Sequence, residues 1–307
     1  MPTTMKYRTL DLAGTTVPVI ELTGDQDGPR LTVLAGTHGC EYAPMAAVRE
    51  WTRDLAAGGG LRGTVTAVPV LNVTSFRSRT PFVTPEDGKN LNRCFPGDPD
   101  GTFSERLADA VFRELITGAD AVLDVHAGDM VEALEPFALY DAGPAEARAR
   151  DLATGYGLGY VIRQEPGPDR AVGGTTSAAA AALGIPAIIA EAGGCGLVEP
   201  AAVAQHVRGL NQVLAQLGMA GAPAAAGPGP VHLRRFLWLR CADEGFWEPA
   251  VGVGDTVAEG QLLGTVSTLD GARVLQEITA PAPGVPMFIT SSPAVAADGL
   301  LLGLGAA

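Results

Sequence analysis

"RLTVLAGTHGCEYAPMAAVREWTRDLAA", residues 30 to 57, changes its hydrophobic period part-way along. The first seven residues are a short apolar run ending at a glycine, which reads as a buried strand. From Glu41 onward the apolar residues recur at three- and four-residue spacing, which predicts a helix. A strand that turns through glycine into a helix is half of a βαβ unit, and such units build parallel sheets. The turn itself carries His38 and Glu41, a base and an acid three residues apart.

The same alternation continues on both sides. "TVPVIEL" (16 to 22), "TVTAVPVLN" (64 to 72), "DAVLDVHA" (120 to 127) and "AIIAEAG" (187 to 193) read as further strands. "SERLADAVFRELI" (104 to 116) reads as a helix with Ser104 at its N-cap. Residues 1–220 are therefore expected to form an α/β domain, a largely parallel sheet covered by helices. "MAGAPAAAGPGPV" offers almost no side chain that can pack, so residues 221–231 are expected to be a linker. Beyond it no long helix is expected, and residues 232–307 should be a small all-β domain. Its Gly254-Asp255 and Asp298-Gly299 turns and "APAPGV" resemble the β-sandwich of biotinyl and lipoyl carriers. Carriers need a modifiable lysine, and there is none after Lys89, so that chemistry is excluded.

Of 307 residues, 47% are hydrophobic and 18% charged, ample for a packed core. A net charge of -13 repels phosphate backbones and anionic lipid, so neither nucleic acid nor membrane is an expected partner. The longest apolar run, Ala178 to Ala190, is broken by Gly184 and Pro186, and the first residues lack a signal-peptide pattern. Four cysteines without a CxxC pair suit a reducing compartment, and the expected location is the cytoplasm. A homo-oligomer is compatible with all of this.

Parallel sheets gather functional side chains at the carboxyl ends of their strands. His38 and Glu41 follow one strand end, His126 closes another and Glu191 a third. Two imidazoles and one carboxylate, with a fourth position left for water, make a catalytic zinc arrangement, provided the strands are neighbours. The alternative is that each histidine is an ordinary hydrogen-bonded crevice residue. Asp124 lies two residues before His126, on the same face of its strand, where it can either hold the outer N–H of a ligand histidine or bond nearby backbone. The long Pro/Gly/Asp-rich segment 70–107 contains Arg77, Arg79, Asn92 and Arg93. Arginine's planar fork suits a substrate carboxylate, although surface ion pairing explains any single one.

"GTHGCE" (36 to 41), "DGKNLNRCFPG" (87 to 97), "LDVHAGD" (123 to 129) and "EAGG" (191 to 194) together resemble the succinylglutamate desuccinylase/aspartoacylase family, which is related to zinc carboxypeptidases. The resemblance covers essentially the whole chain. Through "HAGD" followed by "MVEALEPF" it is most similar to members that deacetylate N-acetyl-diaminobutyrate. It implies a mixed, largely parallel zinc carboxypeptidase-like sheet and one Zn2+ per chain held by His38, Glu41 and His126. It further implies Glu191 as general base, Asn92 and Arg93 as a clamp for the substrate carboxylate, and an arginine before "DGKNLNR" as oxyanion partner. Arg79 is taken for that last role, with Arg77 as the alternative. The implied reaction is removal of an acetyl or succinyl group from a small N-acyl amino acid. Asp129 is a candidate contact for a substrate ammonium, whereas Glu132 and Glu135 read as a solvated loop. Two alternatives stand beside this: a metallocarboxypeptidase acting on peptide C-termini, and a non-enzymatic binding protein on a lapsed hydrolase fold.

Overall fold

The computed structural model describes residues 2–165, 173–222 and 229–306, so most of the expected linker, 223–228, lies outside the described residues. The chain opens with an antiparallel pair, β1 (Thr4–Leu12) and β2 (Thr15–Thr23), and then enters strand-to-helix units. These are β3 (Gln26–Ala35) into α1 (Tyr42–Gly58), then β4 (Arg62–Val68) into α2 (Val73–Ser78) and α3 (Phe103–Val111). There follow β5 (Ala121–His126), β6 (Glu132–Leu134), β7 (Phe137–Asp141), α4 (Glu146–Tyr156), β8 (Tyr160–Gln164), α5 (Thr176–Ala182), β9 (Ala187–Glu191), α6 (Pro200–Gln216) and β10 (Val231–Leu233).

The main sheet runs β1-β2-β4-β3-β5-β9-β7-β8-β10. Its centre, β4-β3-β5-β9, is parallel, and β7 enters antiparallel to β9, giving the mixed, largely parallel sheet. All six residues of β5 are buried, because helices cover one face and loops and the short α3 and α5 the other. Leu123 and Val125 meet Trp51, Leu152 and Leu214 on one side, while Val122 meets Leu107 and Val111 on the other. The N-cap of α3 is two residues earlier than expected: it is Thr102, its amide bonded to Glu105 Oε2 at 2.8 Å. Ser104 instead gives its amide and hydroxyl to Asp87, each at 2.8 Å, and so ties the helix to the "DGKNLNR" loop.

The remaining strands are β11 (Arg235–Arg240), β12 (Gly245–Pro249), β13 (Leu262–Ser267), β14 (Val274–Thr279), β15 (Gly284–Thr290), β16 (Ala294–Val295) and β17 (Leu300–Ala306). They form two four-stranded sheets, β11-β17-β15-β6 and β14-β13-β12-β16, around a shared core of Trp247, Leu263, Val266, Ile278 and Leu302. The small all-β part is thus present, but it is interlaced with the first. β6 leaves the α/β part to pair with β15, and β10 extends the main sheet beside β8. Phe137, Leu139, Ile162, Ile189, Leu233 and Met287 form the apolar seam between the two. Along β7, Ala138 and Tyr140 point the other way, toward α4, as strand alternation requires. No helix among the described residues is long and apolar enough to cross a membrane.

Candidate metal centre

Because β3, β5 and β9 are consecutive and parallel, their carboxyl ends meet on one edge of the sheet. His126 and Glu191 are register partners there. The turn after β3 folds His38 and Glu41 over the same edge, and it can do so because of Gly39: a Cβ there would stand 2.2 Å from the Phe76 amide nitrogen of α2.

The three side chains converge. His38 Nδ1 lies 2.6 Å from Glu41 Oε1, and His126 Nδ1 lies 2.9 Å from Glu41 Oε2. The two ring centroids are 5.1 Å apart. Each ring is fixed from behind: His38 Nε2 donates to Asn90 Oδ1 at 3.0 Å, and His126 Nε2 to Asp124 Oδ2 at 2.9 Å. With Nε2 carrying a proton, the neutral imidazole presents its Nδ1 lone pair toward the other donors, the arrangement a histidine ligand needs. Asp124 is itself held by Thr37 Oγ1 (2.9 Å) and Thr176 Oγ1 (2.6 Å), and Glu41 Oε2 accepts from the Ala127 amide at 3.2 Å.

The electrostatics describe a centre built around a cation. Burial alone would lower both imidazole pKa values, yet Glu41 holds His38 above its ordinary value, and Asp124 with Glu41 holds His126 well above it. Burial would raise the Glu41 carboxyl, but the two imidazoles bring it down to about 2. Positive charge between these groups is therefore favoured, whether as protons or as a metal. Their ligand atoms lie within 4.8 Å of one another, and two imidazole nitrogens with one carboxylate oxygen are a donor set that fits zinc.

A cavity of about 870 Å³ opens on this cluster, and His38, Glu41, His126, Asn92, Arg93 and Glu191 all line it. Burial raises the Glu191 pKa well above the carboxylate range, with His126 opposing and Glu41, Glu132 and Asp124 reinforcing the shift. Asn92 is buried, its Oδ1 accepting from the Thr176 amide at the start of α5 (2.9 Å) and its Nδ2 lying 3.4 Å from His126 Nε2. Arg93 reaches the cavity with its Nη1 bonded to Asn92 O at 2.7 Å; burial lowers its pKa and the Glu191 charge opposes that.

Three expectations change. Arg79 and Arg77 are exposed and line no part of the cavity; the Arg79 charge acts on Cys40 and Tyr42 instead. The reason is local, since Arg79 is the left-handed C-cap of α2 (φ 55°). Asp129 also stays out of the lining: its oxygens accept from the Phe82 amide (2.7 Å) and the Met130 amide (2.6 Å), so it anchors the segment that carries Phe82 into the wall. Glu132, read as solvated, is part of that wall, and burial pushes its carboxyl up to about 7. Phe236, Trp238, Arg240 and Phe288 of the β module complete the lining, so the module is a wall of the site and not a bystander.

The succinylglutamate desuccinylase/aspartoacylase catalytic-domain model matches residues 27–217, the segment that holds every residue of the centre. The chain belongs to the succinylglutamate desuccinylase/aspartoacylase family. Among curated members it is 31% identical, over 250 residues, to N-alpha-acetyl-L-2,4-diaminobutyric acid deacetylase of Halomonas elongata, covering 78% of this chain and 71% of that one. A product-bound structure of the ectoine utilization protein EutE (DoeB) from Ruegeria pomeroyi superposes with a TM-score of 0.87 at 25% identity, over 99% of this chain and 95% of the other. A succinylglutamate desuccinylase/aspartoacylase from Rhodobacter sphaeroides has a TM-score of 0.83 at 23% identity, with the same coverage. Members of the succinylglutamate desuccinylase/aspartoacylase family thus share the whole fold described above, β module included.

Proposed function

We propose that the protein is a zinc-dependent deacylase that hydrolyses the amide bond of small N-acyl amino acids, with acetyl and succinyl as the candidate acyl groups. The observation that carries this reading is the convergence of His38 Nδ1, His126 Nδ1 and the Glu41 carboxylate beside Glu191 in one cavity. Those three side chains would hold the metal. Bound there, zinc supplies an activated water and polarises the acyl carbonyl. Glu191 takes the proton of the attacking water and later delivers it to the departing amine; a carboxyl whose pKa burial has raised is suited to both halves of that cycle. Arg93, with the Asn92 Nδ2 beside it, binds the α-carboxylate and aligns the amide against Glu191. Asp124 and Asn90 keep the two imidazoles in the tautomer that faces the metal.

The test is amine release from matched N-acetyl and N-succinyl amino acids, N-acetyl-diaminobutyrate included, with short peptides as a second panel. The reading requires turnover that a chelator abolishes and that zinc restores. Release from peptide C-termini in preference to N-acyl amino acids would favour a carboxypeptidase. Protein that binds no zinc and gains no stability from it would favour a binding protein on a lapsed fold.

A further inference from the structure

The cavity has two unlike halves. Its inner end holds the ionisable cluster, with Glu191 at the end of β9 and Glu132 on β6, whereas the wall contributed by β7, Ile189 of β9, β11, β15 and β17 contains no carboxylate among the described residues. Sheet register shows how that second half is built. Trp238 on β11 stands opposite Gly303 on β17, Gly303 opposite Phe288 on β15, and Phe288 opposite Leu134 on β6. Residues in register project from the same face, so these form one rank across the sheet. Gly303 is what lets the rings meet over β17: a Cβ there would lie 2.3 Å from Phe288 Cε1 and 2.6 Å from Phe236 Cε1. The result is an aromatic shelf, with Phe236 and Trp238 centroids 4.9 Å apart and Trp238 and Phe288 5.4 Å apart. Trp238 remains 36% exposed, its indole open to the cavity that it lines.

The shelf adjoins the proton-transfer residue. Phe137 is the register partner of Glu191, and Ile189 precedes Glu191 by two residues, so all three leave the main sheet on one face. Phe137 packs against Phe236 at 5.7 Å, which joins Glu191 to the shelf without a polar break. If Glu191 hands its proton to the leaving nitrogen and Arg93 holds the α-carboxylate, the third substituent on that α-carbon is the amino acid side chain, and it extends over the shelf. We infer that the amino acid released by this deacylase bears an apolar, ring-sized side chain, received against Trp238 and Phe236, with the buried rings of Phe137 and Phe288 behind them. This rests on the deacylase reading of the same site.

An ammonium-bearing side chain is a poor match for that wall. The one cationic group among its described residues is Arg240, a like charge, and Glu132, two residues before Leu134 and so on the shelf's own face at its β6 edge, turns its Oε2 back to the Asp129 amide at 3.2 Å. Transfer of a phenyl or indole group from water to such a surface is worth roughly tenfold to a hundredfold in affinity.

Two measurements on the full-length, zinc-supplemented protein separate the inference from the reading beneath it. Calorimetric binding of the free amino acids should rank L-phenylalanine and L-tryptophan at least about tenfold tighter than L-2,4-diaminobutyrate. The kcat/KM values for their N-acetyl derivatives should follow the same order. Trp238→Ala should reduce the phenylalanine preference by about tenfold in both assays, and Phe236→Leu, which keeps an apolar residue in the seam, should reduce it in the same direction. Equal or tighter binding of diaminobutyrate, or a preference untouched by both substitutions, would overturn the inference. Selective binding of the aromatic amino acids with no turnover of any N-acyl derivative would uphold the shelf and sink the deacylase.

Discussion

Asp124 and His126, two residues apart on β5, are locked together: Asp124 Oδ2 accepts the Nε2 proton of His126 at 2.9 Å, and two threonine hydroxyls hold the carboxylate in place. An outer-shell acid of this kind orients the ring and raises its basicity. Asp124→Asn should therefore fold and still bind zinc, but with affinity lower by about ten- to a hundredfold, measured by competition with a calibrated chelator. Unchanged affinity would mean that the pair serves the core alone.

Glu191 and His126 are register partners, and the proposed function gives them separable duties. Glu191→Gln should retain zinc while kcat falls by about a hundredfold or more. His126→Ala should lose the metal itself, which elemental analysis after gel filtration reads directly. Near-normal turnover in Glu191→Gln would place the proton-transfer group elsewhere.

Arg93 lines the cavity and Arg79 does not. Arg93→Ala should lower kcat/KM for N-acyl amino acids by about a hundredfold, and should do so far less for the corresponding amides, which lack the carboxylate. Arg79→Ala, at an exposed position, should change stability by no more than about 0.5 kcal/mol and leave kcat/KM within about twofold.

His206 gives the protein a pH-dependent stability. It is fully buried on α6, its Nε2 3.1 Å from Ala192 O and its Nδ1 2.9 Å from Tyr156 Oη. Burial brings its pKa down to about 4, against 6.5 for a free imidazole. The unfolded chain thus binds this proton more readily than the folded one, so the contribution is complete above about pH 6.5 and is lost as pH falls toward 4. The span corresponds to roughly 3 kcal/mol, and His206→Gln should flatten the slope of unfolding free energy between those pH values in urea titrations.

What the sequence made legible follows from locality. His38, Glu41, His126 and Glu191 each sit at the end of a clear apolar strand, so periodicity placed them at strand ends, while their reading as one cluster rested on the family resemblance until the strand order made the ends neighbours. β7 and β8, five residues each, lacked a strong enough pattern to be told from loop. Arg79 lies outside the cavity lining because its position depends on a left-handed cap, and Phe82, also at positive φ (59°), is in the wall. A run of side-chain types does not encode that choice. Glu132 was misread for a different reason: β6 is three residues long, and its partner β15 lies some 150 positions further on, so nothing near Glu132 announces that it is a strand. The aromatic shelf is invisible until β17 is threaded between β11 and β15, because it depends on Gly303 and not on any property of the aromatic residues.

The exchange of strands between the two parts has a consequence for how the molecule comes into being. Among the described residues β6 pairs with β15 alone, and the outer wall of the cavity waits on β11 and β17, so a nascent chain that has emerged only as far as α6 holds His38, Glu41 and His126 but not a finished chamber. Under the proposed zinc reading, metal capture can precede completion of the fold, whereas substrate selection cannot. Trimming the β module to make a minimal enzyme would unzip a strand from the half that was kept.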